Sequence, residues 1–170
     1  MLTKKLLLAA AFAAAAAPAS ATLAQKPETP AAAQPGERER IVDVEANDAV
    51  MNAAKARARA ELPDFYRHLA NPGPGETSFM IKFDIVPGEG AEYVWASDID
   101  RSTTPMTGTL VSHPEYTRDR AGDRVRIADA DIIDYIYFRN GVAQGAHTQR
   151  VLLDRLPPDE AAELRRNMGW

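Results

Sequence analysis

Asp134 and His147 are the two side chains of this sequence best suited to acid–base chemistry, and they stand at equal distances on either side of Asn140-Gly141. Asn-Gly between strand-prone runs is a strong β-hairpin signal, because a two-residue type I′ turn requires positive φ at both central positions. Such a hairpin pairs Arg139 with Val142 and, further from the turn, sets Asp134 opposite His147.

A carboxylate beside an imidazole fixes the tautomer of the ring and favours its charged form, which prepares a general base. Asp134 and His147 are therefore candidate catalytic residues. The alternative is a cross-strand contact that only stabilises the end of the hairpin, by about 0.2 to 1 kcal/mol.

Neither a nucleophile nor a metal-ligand pattern accompanies this pair in the sequence. Ser112 stands beside His113 but lacks the Gly-x-Ser-x-Gly elbow that exposes a catalytic serine. Asp129 and Asp131 lack the glycine and the distal glutamate of a calcium loop, and the three histidines form no helical pair of ligands. We therefore predict no metal and no cofactor.

A binding surface is the other possibility, and it involves aromatic residues of the same hairpin. Tyr135 and Tyr137 face the opposite side from Ile136 and Phe138, so burial of the apolar pair would leave a partly exposed aromatic face. His113, which opens a charged loop running to residue 120, and Arg150, which the extended register opposes to Asp131, join them. The binding candidates are Tyr135, Tyr137, His113 and Arg150, whereas Trp95 is expected to fill the core.

A helix must precede the strands that carry these residues. Asn47-Asp48 can cap a helix whose apolar residues recur at steps of three and four, namely Met51, Ala54, Ala58 and Leu62. Pro63 suits a helix interior badly, so we expect a break or kink at that position.

The period then changes from 3.6 to 2. Residues 79–85 alternate, with Met80, Lys82 and Asp84 on one side of a strand that we expect to be buried only on the other. Strands follow at about residues 93–96, 106–112 and 125–127, then the hairpin, and Pro157-Pro158 introduces a short helix ending near residue 167. We predict an α+β domain, with an N-terminal helix and a short C-terminal helix packed on a curved antiparallel sheet of about five or six strands.

The beginning of the chain indicates export. Residues 1–21 combine Lys4 and Lys5 with an apolar run and a small-residue cleavage site, which is typical of a secretory signal peptide cleaved after Ala21, with Ala24 as the alternative site. Residues 22–40, rich in Pro and Ala, are predicted to be a disordered linker, and residues 41–170 a single domain. The protein is therefore expected in the periplasm or outside the cell, with no transmembrane segment after cleavage. Because the sequence has no cysteine, no disulfide supports the exported domain.

Charge excludes one class of partner. Cleavage after Ala21 changes the formal net charge from −4 to −6, because it removes two lysines and no acidic residue. An acidic exported domain is a poor match for nucleic acid, so we predict a protein or an envelope component as partner. Lys55, Arg57 and Arg59 form the one basic cluster, which we assign to a solvated helix face.

The chain resembles the bacterial domain-of-unknown-function family 2314 (DUF2314). The resemblance rests on the order and spacing of several pieces over most of the predicted domain, among them Tyr93-Val94-Trp95, Gly122-Asp123-x-Val125 and Ile132-x-Asp134-Tyr135. The family pattern often has Trp where Tyr135 stands, which keeps an aromatic residue there. The resemblance implies a compact bacterial domain with no established activity, so it assigns no catalytic residues.

Two hypotheses for function follow. The first is an exported binding module that recognises a protein or envelope component through the aromatic hairpin face and the loop that His113 opens. The second is a small acid–base hydrolase that uses Asp134 and His147, which predicts that both side chains converge on a pocket.

Overall fold

The computed structural model describes residues 3–8, 40–45, 48–88 and 90–170 of the chain. Its elements, in chain order, are β1 (Thr3–Leu8), β2 (Arg40–Glu45), α1 (Ala49–Ala70), β3 (Glu76–Asp84), β4 (Glu92–Asp100), β5 (Met106–Leu110), β6 (Arg124–Ile127), β7 (Ile132–Arg139), β8 (Val142–Gly145), α2 (His147–Leu153) and α3 (Pro158–Asn167).

The strands form one open sheet in the order β2-β1-β4-β3-β7-β8, and β5 extends it by pairing with β4 on one side and β6 on the other. The six strands from β3 to β8 pair antiparallel throughout, whereas β1 runs parallel to β4. The predicted α+β class is therefore confirmed, with one helix more than the sequence indicated.

The first strand lies within the predicted signal peptide. It pairs with all of β2 but with only two residues of β4, where Lys5 and Leu6 meet Glu92 and Tyr93. The rest of residues 1–21, and nearly all of the predicted linker, lie outside the described residues. Cleavage after Ala21 stays a prediction, and in the cleaved chain β2 would lose the strand beside it. Among the described residues, no helix is both long enough and apolar enough to cross a membrane.

Helix α1 begins where its cap residue indicated, since the Asp48 carboxylate accepts a hydrogen bond of 3.0 Å from the Met51 amide. The expected break at Pro63 is wrong, because the helix continues from residue 49 to residue 70. Pro63 is exposed, while Leu62 and Phe65 on either side are buried against the sheet. Their burial outweighs the one backbone hydrogen bond that proline cannot make.

The hairpin has the predicted register, but it is shorter than predicted. Four pairs form as expected, from Arg139 opposite Val142 to Ile136 opposite Gly145. Gly145 and Ala146 then adopt left-handed backbone conformations, with φ of 72° and 51°, and direct the chain out of the sheet into α2. A Cβ on residue 145 would lie 2.5 Å from a ring carbon of Tyr135, so only glycine fits this corner.

The middle of β3, the first half of β4 and nearly all of β7 are buried on both faces, which contradicts the expectation of one solvent-facing side. Lys82 is fully buried rather than exposed, and Tyr135 and Tyr137 are each only 6% exposed. Helix α1 covers the tyrosine face, where the rings of Phe65 and Tyr135 lie 4.8 Å apart. On the other face, Trp95 lies in the core as predicted, in a cluster completed by Met168 and the partly buried Trp170 after α3.

Candidate functional site

An open cleft of about 720 Å³ lies between α1 and the β7–β8 hairpin, and we call it the polar cleft. Its lining is mostly charged or hydrogen-bonding: Arg57, Glu61, Asp64 and His68 from α1, Tyr135, Tyr137 and Arg139 from β7, Gln144 from β8, and His147 and Arg150 from α2, together with the small residues Ala143 and Gly145. The volume falls within the range of small-molecule sites.

Helix α1 supplies a stripe that the sequence analysis missed. Arg57, Glu61, Asp64 and His68 follow each other at steps of four, three and four, so they project from one face of the helix. This spacing in the sequence was sufficient to predict that the four side chains share one helix face. The assignment of Arg57 to a merely solvated face is therefore incomplete, because its side chain is 70% exposed and also lines the cleft.

Glu61 is the centre of a hydrogen-bonded group at the cleft floor. Its Oε2 atom lies 2.7 Å from His147 Nε2 and accepts a 2.8 Å hydrogen bond from the Tyr135 hydroxyl, while Oε1 accepts one of 2.9 Å from Arg57 Nε. Burial alone would raise the pKa of Glu61, but the bonds from Arg57, Tyr135 and His147 outweigh it and lower that pKa to about 2. Glu61 is thus an ionised acceptor, and His147 Nε2 must carry a proton to face it.

Burial, followed by the hydrogen bond to Glu61, raises the pKa of the Tyr135 hydroxyl. Tyr135 is therefore a stable donor that holds the carboxylate in place rather than a group that ionises near neutral pH. The side chain of His147 is 9% exposed, and the Glu61 contact orients its ring toward the cleft.

Asp134 and His147 are neighbours, but not as the cross-strand pair that the hairpin register predicted, and their side chains do not form an imidazole–carboxylate pair. The Asp134 carboxylate instead accepts hydrogen bonds from the backbone amides of Tyr135, His147 and Thr148, at 2.9, 3.1 and 2.7 Å, and from the Thr148 hydroxyl at 2.6 Å. It is fully buried and does not line the cleft. The physical reason is the corner at Gly145 and Ala146, which turns residue 147 into a helix, so its amide rather than its ring faces Asp134.

Lys82 lies on the strand next to Asp134, since the two residues are direct partners in the β3–β7 register. Its Nζ atom is buried, has no hydrogen-bond partner among the residues that the structure describes, and lies 5.4 Å from the centre of the Trp95 indole. Burial lowers the pKa of Lys82 to about 8, with Asp134 opposing the shift. Burial likewise raises the pKa of Asp134, against the hydrogen bonds from Thr148 and the charge of Lys82.

A second buried carboxylate organises the other end of the cleft. Glu76, whose side chain is 2% exposed, accepts hydrogen bonds of 2.9 and 2.7 Å from Arg139 and lies 3.1 Å from His68 Nδ1. Arg139 also donates to the Tyr137 hydroxyl at 3.1 Å. The backbone amide of Gly73, Arg139 and His68 together hold the pKa of Glu76 below its usual value, against the effect of burial. The charge of Arg139 is therefore neutralised within the protein.

Three of the four predicted binding candidates meet at the polar cleft, and one does not. Tyr135, Tyr137 and Arg150 all line it, although the tyrosines are buried and do not form the exposed aromatic face that was expected. His113 is exposed on a loop and is not among the lining residues. Arg150 lies on α2 and so is not opposed to Asp131 on a strand.

The arrangement can bind polar groups and holds the His147 imidazole in one orientation, with Nε2 facing Glu61. The described residues that line the cleft include no Ser, Thr, Cys or Lys, the side chains most used as covalent nucleophiles. Over the described part of the chain, no group of three or more His, Cys, Asp or Glu side chains is arranged to hold a metal ion.

Comparison with known proteins gives two matches. The model of a family described as "Uncharacterized protein conserved in bacteria (DUF2314)" matches residues 48–170, which include every residue of the polar cleft. The chain is also 30% identical over 116 residues to the uncharacterized protein YegJ of Escherichia coli (strain K12), a match that covers 68% of this chain and 74% of YegJ. No solved structure matches the chain.

Proposed function

The chain belongs to the DUF2314 family of uncharacterised bacterial proteins, as the sequence resemblance indicated, and on that premise we propose that it is an exported binding module of the cell envelope. The polar cleft is its binding site. The observation that carries the proposal is an open cleft of about 720 Å³ whose described lining consists mostly of charged and hydrogen-bonding side chains that can hold a polar ligand.

Export is supported by the signal-peptide pattern of residues 1–21. The family match begins at residue 48, so cleavage after Ala21 would leave all of the matched part in place. The test is the mass of the protein recovered from the periplasm of an expressing bacterium. We expect a chain beginning at Thr22. A full-length chain that stays in the cytoplasm would refute export while leaving the cleft as a binding site.

Binding through the cleft can be tested by site-specific photocrosslinking. A crosslinking amino acid at Gln144, which lines the cleft, should capture an envelope component in living cells. The matched control is the same amino acid at Val50, which is 61% exposed on α1 and lies outside the cleft. Equal capture from the two positions, or none from Gln144, would refute the assignment of the cleft.

Acid–base catalysis is the second candidate, favoured by the 2.7 Å contact between His147 and Glu61. Asp134 cannot be its base because it is buried behind the cleft and saturated by donors. Substitution His147→Gln keeps a polar side chain beside Glu61 but removes the titrating ring. Loss of a cellular phenotype with unchanged stability would favour catalysis. A phenotype explained by lost stability, or an unchanged phenotype, would exclude it.

A further inference from the structure

Arg150 distinguishes the polar cleft from a merely polar surface. We infer that the ligand of the cleft is a small anion, and that Arg150 binds its carboxylate or phosphate group. The inference rests on the proposed function, since it names the chemical class of the ligand that the cleft receives.

The three arginines of the cleft differ in whether a carboxylate neutralises their charge. Arg57 is paired with Glu61 at 2.9 Å, and Arg139 is paired with Glu76 at 2.7 Å. Arg150 forms no ion pair with any of the described residues. Within the described part of the chain, Arg150 is therefore the arginine of the cleft that has no carboxylate contact.

Arg150 is held by an aromatic ring and by two backbone carbonyls. Its guanidinium carbon lies 3.5 Å from the centre of the Trp170 indole, so the planar group is stacked on a ring. Its hydrogen bonds to the carbonyls of Gly145 and Ala143 are long, at 3.4 and 3.5 Å. The guanidinium thus has a fixed orientation and retains donors for a ligand. This planar fork matches the geometry of a carboxylate or a phosphate.

A second cation, Arg57, lines the same cleft as Arg150. Burial, followed by the positive charge of Arg57, lowers the pKa of Arg150, against the opposing effect of Asp134. The two guanidinium groups thus repel each other across the cleft. An anion between them would relieve this repulsion, and the gain would weaken as salt screens the charges.

The remaining lining limits the kind of anion. Glu61 and Asp64 also line the cleft, and their carboxylates would repel a ligand charged along its whole length. The same carboxylates can accept hydrogen bonds from hydroxyl or amine groups. The lining offers little surface to an acyl chain. The ligand class is therefore a small polar molecule with one acidic group and hydrogen-bond donors.

The test is an NMR titration of the purified chain with two probes, inorganic phosphate and acetate, at low ionic strength. We expect saturable shifts of backbone amides around the cleft with at least one probe. Arg150→Gln should weaken binding by about tenfold, as loss of a charge-assisted hydrogen bond implies, and Arg150→Lys by less. The matched control Arg126→Gln removes an exposed arginine of β6 and should leave the affinity unchanged.

The two probes separate the possible sources of the acidic group. Binding of phosphate alone indicates a phosphate ester, and binding of acetate alone indicates a carboxylic acid. Absence of saturable shifts with both probes, or equal weakening by the Arg150 and Arg126 substitutions, would overturn the inference. Crosslinking from Gln144 would still succeed in that case if the cleft binds an uncharged ligand, so this failure differs from failure of the proposed function.

Discussion

Asp134 offers the most demanding test of the structure, because the sequence suggested a catalytic carboxylate and the fold uses it to hold the start of α2. Asp134→Ala removes the acceptor for the buried amides of His147 and Thr148 and for the Thr148 hydroxyl. Each buried donor left without a partner costs about 1 to 3 kcal/mol. We expect Asp134→Ala to lower the free energy of unfolding by about 3 to 5 kcal/mol, a large part of the stability of a typical domain.

Lys82→Met is the substitution to compare with Asp134→Ala, because Lys82 is the register partner of Asp134 on the next strand. The amine is fully buried and has no hydrogen-bond partner among the described residues, so its removal relieves a desolvation penalty. The substitution loses the attraction to Asp134 and the contact with the Trp95 ring. We expect a change of at most about 1 kcal/mol in either direction, because Asp134 keeps the four hydrogen bonds that satisfy its carboxylate when the lysine is replaced. The structure thus predicts a strong asymmetry between two neighbouring buried charges.

The assay is equilibrium unfolding in urea, followed by tryptophan fluorescence and extrapolated to water. Because Asp134→Ala can prevent folding altogether, Asp134→Asn is measured beside it; this variant keeps one acceptor oxygen and should cost about 1 to 3 kcal/mol. The reasoning is refuted if Lys82→Met destabilises the protein more than Asp134→Asn, or if Asp134→Ala is nearly neutral.

Two further predictions concern local features. Asp48→Ala should lower the free energy of unfolding by about 1 to 2 kcal/mol through loss of the helix cap. The bond to Arg155, followed by the cap, lowers the pKa of Asp48 from 3.8 to about 2, so the stabilisation should be present above pH 3.8 and fade as the pH falls toward 2. Urea unfolding across that pH range measures it. Gly145→Ala should lower the free energy of unfolding by about 1 to 3 kcal/mol, because the added carbon clashes with Tyr135 and the backbone has a positive φ. Gly141→Ala also has a positive φ, but its added carbon meets no described atom within 4 Å, so it should cost about 1 kcal/mol. Equal losses of stability in thermal unfolding would contradict the packing at the corner.

Much of the fold could be predicted because its signals are local. The Asn140-Gly141 turn and its four strand pairs, the Asp48 cap and the helix after Pro157 each depend on residues close in sequence. Alternation along β3 correctly indicated a strand. It could not reveal that Lys82 is buried, because the residues that cover that face lie far along the chain.

The candidate site was predicted only in part, for the same reason. Sequence indicated that Tyr135, Tyr137 and Arg150 could contribute to binding, and the charged stripe of α1 was visible in its spacing. The contact between His147 and Glu61 could not be predicted from the sequence, because the two residues are 86 positions apart. The hairpin register predicts that strand pairing continues to residue 147. In the structure the pairing ends at Gly145, where the chain packs against Tyr135 and leaves the sheet.

The sequence by itself therefore determined the family, the α+β class and the register near the turn, since short-range propensities and alternation control them. Tertiary structure alone decided what the polar residues do. Packing of α1 and the C-terminal segment on opposite faces of the sheet buried Asp134 and Lys82 away from solvent. The corner after β8 turned His147 toward Glu61 and formed the polar cleft.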